Sequence, residues 1–476
     1  MNRLTRFVPT LLAILLGPAI ANAASQQPVT EFELANGLKV LVREDHRAPV
    51  VVSQVWYKVG SSYEHGGNTG VSHALEHMMF QGTKRYGPGK FSEIIAAQGG
   101  SENAFTGIDY TAYFQTLASD RLEIALELEA DRMVNLQIQD EKFAKEIQVV
   151  IEERRMRTED RPTAQLNELF RASTWVSHPY RNPVIGWMSD LDAMTTADLN
   201  DWYRRWYMPN NATLVVVGDV DTATVKKLVK KYFGPLKKGQ LQPPKERQEV
   251  PQTGERRLTV KLPAQLPHLI MGYHVPRFGG EADGAVDSQA ITDKPATAAT
   301  DEAYALDVLT AILDGGSSAR FARELQRGQA IAASASAGYR GALRAPGLFT
   351  VDGTPAQGHT IAELETALRA QIQRLIDEPV SPAELNRVKT QVVADNVYTR
   401  DSVFYQAMQL GMLETVGLPW QMLDEYVDRI KAVTPEQIQQ VAKRYLRPDR
   451  VTVAILDPQP MDTKKPRRPP PAGLRH

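Results

Sequence analysis

The chain has 476 residues, 55 Lys and Arg against 56 Asp and Glu, and a formal net charge of −1. With 42% hydrophobic residues it has the composition of a folded protein long enough for more than one domain, not of a disordered chain or a nucleic-acid coat. It contains no cysteine, which excludes a disulfide framework and leaves any metal site to His, Asp and Glu.

Residues 1–23 read as a secretory signal peptide: Arg3 and Arg6, the apolar run Leu11–Leu16, Pro18, then the small-x-small stretch Ala21-Asn-Ala23. The run is shorter than the roughly 20 apolar residues that span a bilayer. A periplasmic mature chain that does not insert into the membrane is therefore expected.

Leu38–Arg43 and Val50–Trp56 are β-branched and short, as strands are. Next comes Val71-Ser-His-Ala-Leu-Glu-His-Met-Met-Phe80, with His73, Glu76 and His77 inside five positions. On a helix, i and i+4 share a face and i+3 lies between them. His73 and His77 can then grip one ion from adjacent turns, with Glu76 beside them. This is the inverted zinc-helix order H-x-x-E-H. The plainer reading is a helix whose polar residues fall close together.

A catalytic zinc needs a third protein ligand. Lys145–Arg155 offers Glu146, Glu152 and Glu153. Glu146 and Glu153 share one helix face and Glu152 points elsewhere, so one of the pair can ligate while the other supports it. The alternative is an acidic helix flank paired with Arg154 and Arg155. His65 and His178 have no partner at ligand spacing and read as structural.

Asp192–Gly218 and Lys431–Asp457 align without a gap at a shift of 239 positions. Thr195 meets Thr434, Arg205 meets Arg444, Pro209 meets Pro448 and Thr213 meets Thr452. Each stretch reads as a Thr-capped helix, a proline turn and a β-branched strand, with Pro435 at a first helical position. An internal repeat of this kind implies duplication. The expected organisation is an α/β (α+β) chain of two homologous domains, 28–233 and 257–458. Residues 234–256 form the linker and 459–476 a basic, Pro-rich tail. Gly279–Thr300 is polar and reads as a loop. Helices dominate 359–446, and Ser381-Pro-Ala-Glu384 reads as a capping box.

Taken together, these motifs resemble the pitrilysin/insulinase family of zinc metallopeptidases, which includes the half-length subunits of the mitochondrial processing peptidase. The family signature is H-x-x-E-H followed by a glutamate about 76 residues on, which is Glu153 here. A family glutamate seven residues earlier corresponds to Glu146. Gly99-Gly-Ser-Glu-Asn-Ala-Phe-Thr106 resembles the family's substrate-binding edge strand, although Asn103 could also be a turn residue after Gly99-Gly100. His178-Pro-Tyr and Pro209–Asp219 are similar to further family stretches.

The resemblance implies two domains, each a mixed sheet packed with helices, forming half of a clamshell chamber. It implies one zinc per chain on His73, His77 and Glu153, with Glu76 as general base toward water and Glu146 orienting a ligand. An extended peptide would add to Asn103, Ala104 and Phe105. The activity implied is that of an exported zinc metalloendopeptidase acting on peptides or unfolded segments. The rivals are a specific processing peptidase and a non-catalytic subunit.

One departure stands out. The family's second type of domain carries an arginine and a tyrosine seven residues apart that hold the substrate carbonyl. Gly347–Thr354, where they are expected, has neither, and position 349 is Phe. A heterodimer with a related chain that supplies the pair is therefore expected, with a homodimer as the alternative. No nucleic-acid partner is expected.

Overall fold

The computed structural model describes residues 28–242, 244–245, 247–279 and 296–461. Residues 1–27, with the expected signal peptide, residues 280–295 of the polar stretch and the tail from 462 lie outside them. The end of the polar stretch is not loop: Ala296–Thr300 open the helix Ala296–Asp314, in keeping with the helix propensity of alanine.

The first sheet is built from β1 (Thr30–Glu33), β2 (Lys39–Glu44), β3 (Val50–Tyr57), β4 (Ser101–Thr106), β5 (Thr111–Ala118) and β6 (Ala212–Gly218), in the spatial order β1-β2-β6-β3-β5-β4. The second is built from β7 (Arg256–Pro263), β8 (His268–Val275), β9 (Ala332–Tyr339), β10 (Gly347–Pro355) and β11 (Val451–Gln459), in the order β7-β11-β8-β10-β9.

Apart from β1, which only the first sheet has among the described residues, the two topologies coincide. In the first sheet β2 pairs parallel with β6, and the ladder continues antiparallel through β3 and β5 to β4. In the second, β7 pairs parallel with β11 and the ladder continues through β8 and β10 to β9. The sequence repeat superposes Thr213 on Thr452, and their cross-strand partners are Trp56 and Gly272. β4 and β9 are thus equivalent edge strands.

Local signals explain the helix starts. Thr195 and Thr434 each close a full capping box, with Asp198 and Gln437 respectively. Ser381 does only half of what its motif suggests. Its hydroxyl accepts from the Glu384 amide, but the Glu384 carboxylate turns to Arg320, at 2.8 and 3.0 Å. A charge-assisted fork outcompetes the reciprocal cap.

Each sheet buries one face against helices of its own half. The other face takes a helix from the opposite half. Helix Pro162–Thr174 lays Leu166 and Phe170 on Ile270, Ala454 and Leu456 of the second sheet. Helix Val403–Thr415 lays Ala407 and Leu410 on Val52, Trp56, Val215 and Val217 of the first. The link between the halves has no regular structure but is docked. Buried Glu249 accepts from the amides of Val176, Ser177 and His178, and Gln252 donates to the Val451 carbonyl.

Candidate metal centre

The helix Val71–Met78 enters from Gly70, which has φ +84° and lies against residue 185, where an added Cβ would come within 2.6 Å of the Ile185 carbonyl oxygen. Only glycine suits that backbone. Buried Glu64 caps the helix start, accepting from the amides of Gly70 at 2.8 Å and Ser72 at 2.9 Å. Burial pushes its pKa up to about 7 against the pull of those two amides. Nothing in the sequence spacing points to Glu64, because the contact is made by a loop.

Helix Asp140–Arg154 packs across this helix and brings Glu146 and Glu153 to it. Glu153 Oε2 lies 3.6 Å from His73 Nε2 and 3.3 Å from His77 Nε2. One ligand atom from each of the three residues falls within 4.8 Å of the others, the group among the described residues that could hold a metal ion. His65 and His178 do not join it. Glu152 points away and pairs with Arg155, as helix geometry requires.

Glu146 reaches His77 from behind. Its Oε1 accepts from His77 Nδ1 at 2.9 Å, and its Oε2 accepts from Gln81 Nε2 at 2.8 Å. Carboxylates thus face both ring nitrogens of His77, Glu146 at Nδ1 and Glu153 at Nε2. Such a pair of acceptors favours positive charge on or beside the ring. The proton affinities reflect this. Burial lowers the His77 pKa, but hydrogen bonds to Glu146 and Glu153 outweigh it and carry it to about 9. Burial raises that of Glu153, but the His77 hydrogen bond and the charges of His73 and Arg157 bring it to about 2. The donor set therefore fits zinc, which takes imidazole nitrogen and carboxylate oxygen.

Glu76 stands beside the cluster. It is 6% exposed and accepts from the Thr106 hydroxyl at the end of β4. Burial pushes its pKa up to about 7, with Thr106 and His77 opposing. Thr106 belongs to the edge-strand stretch, but its sequence position carries no sign of this contact, which is made 30 residues away. Arg157 is a further residue that the motifs do not single out. It pairs with the second oxygen of Glu153 at 2.9 Å, one turn further along the chain, and the i,i+4 spacing is the one signal that could have found it.

Asn103, Ala104 and Phe105 are strand residues of edge strand β4, so Asn103 is not in a turn. The Asn103 side chain accepts from the Ala104 amide at 2.8 Å. Phe105 sits against Trp56 on the opposite face from Glu76, with ring centroids 5.3 Å apart.

Among the described residues no helix is long and apolar enough to cross a membrane. Residues 39–187 match the family model described as insulinase (peptidase family M16), and residues 193–392 match that of the peptidase M16 inactive domain. The zinc protease PqqE of Helicobacter pylori is 31% identical over 94% of this chain and 97% of its own length. The uncharacterized zinc protease YmxG of Bacillus subtilis is 24% identical over 90% of this chain and 98% of its own. The crystal structure of a protease from Helicobacter pylori superposes with a TM-score of 0.83 at 29% identity, over 91% of this chain and all of that one. The first half of the periplasmic protease PqqL from Escherichia coli shares the fold, with a TM-score of 0.72 at 19% identity over 90% of this chain and 92% of that one. A near full-length relative above the level of chance likeness, two family models in tandem and a doubled sheet topology agree, and the chain belongs to peptidase family M16, the insulinase family.

Proposed function

We propose that the chain is an exported zinc-dependent endopeptidase that cleaves peptides or unfolded protein segments. The observation that carries this reading is the convergence of His73, His77 and Glu153 with a buried carboxylate, Glu76, beside them. His73, His77 and Glu153 would hold one zinc ion, which when bound supplies Lewis acidity toward water and the scissile carbonyl.

The other residues have distinct tasks. Glu76 takes a proton from the attacking water on its carboxylate and passes it to the leaving amine, while Thr106 holds one of its oxygens in place. Glu146 fixes the tautomer and direction of His77. The open edge of β4 offers backbone groups to an extended peptide, which accepts many sequences alike. A second chain supplies the arginine and tyrosine that this one lacks. Position 349 is a fully buried core phenylalanine of β10 and has no route to a substrate.

The test is Glu76→Gln in the purified chain, assayed with quenched peptides and for bound zinc. Unchanged zinc with turnover lost by at least about 100-fold is expected from removal of the base alone. Release of zinc by this substitution would make Glu76 a ligand and overturn this division of roles.

A further inference from the structure

A cleft of about 940 Å³ opens between the two halves. One end is formed by Phe105 and Thr106, and Thr106 is the residue that donates to Glu76. One wall is the helix Pro162–Thr174, and the other is made by β8, β9 and β10 through His268, Tyr339 and Asp352, with Arg340 just after β9. A peptide paired along β4 and continuing past Thr106 would run into it.

The charged groups on these walls do not balance. Glu168 is held by both terminal nitrogens of Arg154, at 2.8 and 2.9 Å. Asp352 faces His268 at 3.5 Å and accepts from Ser336 at 3.1 Å, and burial raises its pKa. Arg181 donates to the Val176 carbonyl at 2.9 Å. Arg161, Arg171 and Arg340 are left, and none of them forms an ion pair or side-chain hydrogen bond with another described residue. Arg161 and Arg171 come from the first half and Arg340 from the second. All three side chains are exposed where they line the cleft. Two like charges from opposite walls thus line one cleft, and neither is paired with a described carboxylate of the chain.

We infer that this cleft binds a carboxylate-bearing part of the peptide substrate, with Arg171 and Arg340 as the clamp and Arg161, at the start of the same helix as Arg171, adding to it. The guanidinium fork matches a carboxylate geometrically, and like charges gathered around one cleft focus their field. A lysine would be a poorer choice here, since it offers a point charge rather than a fork. The inference deepens the peptidase reading and rests on it: acidic residues a short distance from the cleaved bond would favour a substrate.

The experiment uses the full chain carrying Glu76→Gln, so that binding is read without turnover. Fluorescence anisotropy compares a labelled peptide bearing three aspartates with its asparagine twin, each with a free and an amidated C-terminus. The aspartate peptide should bind about 10-fold more tightly at low salt, with the difference shrinking at high salt. The double variant Arg171→Gln/Arg340→Gln should erase that difference and leave the asparagine twin unaffected. Arg340→Glu should favour a lysine-bearing peptide, and this single change decides the matter if the double variant does not fold by circular dichroism. A preference that follows amidation rather than aspartate would place the peptide's terminal carboxylate in the clamp. Equal affinity of all four peptides, or a preference that survives the double variant, would overturn the inference. Hydrolysis is assayed separately with the unsubstituted chain. Its absence alongside an Arg-dependent binding preference would sink the peptidase reading and leave the clamp standing.

Discussion

Trp56 of β3 packs directly over Gly411 of the helix Val403–Thr415, so closely that a Cβ on Gly411 would lie 2.1 Å from the indole nitrogen. The opposite arrangement occurs in the other half. There Gly272 of β8 stands at the register position of Trp56, and Phe170 of the helix Pro162–Thr174 fills the space, 2.4 Å from a Cβ built on Gly272. Each sheet–helix contact between the halves therefore uses one large aromatic and one glycine, with their sides exchanged.

Gly411→Ala should destabilise the chain by about 1–3 kcal/mol, since the indole has little room to move in a packed core. The urea midpoint measures it. Adding Trp56→Phe should recover part of the loss, and a Gly411→Ala chain as stable as the parent would mean that the indole yields at no cost.

Glu146→Gln should weaken zinc binding by about 10- to 100-fold without abolishing it, because it leaves three ligands but loosens His77. Competition with a chromophoric chelator reads the affinity. His77→Ala should abolish stoichiometric binding. Identical affinities for Glu146→Gln and the parent would reduce Glu146 to a helix-surface carboxylate.

Backbone N-methylation of a cleaved peptide should weaken it at alternate positions only, because alternate amides of an added strand face the edge of β4. KM across a methyl scan is the readout. Uniform tolerance would argue for a different mode of binding.

His178 and His274 pack against Trp175 from the two halves, tilted and edge-on, with ring centroids 5.2 and 4.5 Å away. Burial holds both pKa values down at about 4, from an ordinary 6.5, with Arg344 adding to the effect on His178. Between those values the unfolded chain binds more protons than the folded one. The stability from keeping both rings neutral is thus present above pH 6.5 and lost as the pH falls through about 4. Each shift corresponds to on the order of 3 kcal/mol. The denaturation midpoint should drop across this window, and His274→Asn should flatten the drop. An equally steep profile in that variant would place the acid sensitivity elsewhere.

The chain by itself should be a feeble enzyme, slower by about 100-fold or more than the assembly that supplies the missing donor. Adding a related exported chain that lacks H-x-x-E-H but carries the Arg–Tyr pair should restore turnover and give a heterodimer in sedimentation. Full activity of the isolated chain, unchanged by that partner, would instead point to a homodimer or to an unrecognised donor.

Short-range chemistry is readable along the chain. His73, Glu76 and His77 lie within two turns of one helix, so spacing alone puts them on one face, and Glu146 and Glu153 follow from the same rule. The Thr195 and Thr434 caps, the β-branched strands and the repeat at 239 positions are also local patterns copied from one half to the other. The tertiary structure decides which surfaces those patterns meet. An amphipathic helix shows that it has an apolar face, not that Pro162–Thr174 will set it on the second sheet and Val403–Thr415 on the first. Glu384 turns from its capping box to Arg320 because a fork 64 positions away is the stronger partner. Glu64 caps the helix of His73 and His77 from a loop, and Arg171 and Arg340 line one cleft only because the halves fold against each other. Such contacts join residues with no fixed spacing, and only the folded chain brings them together.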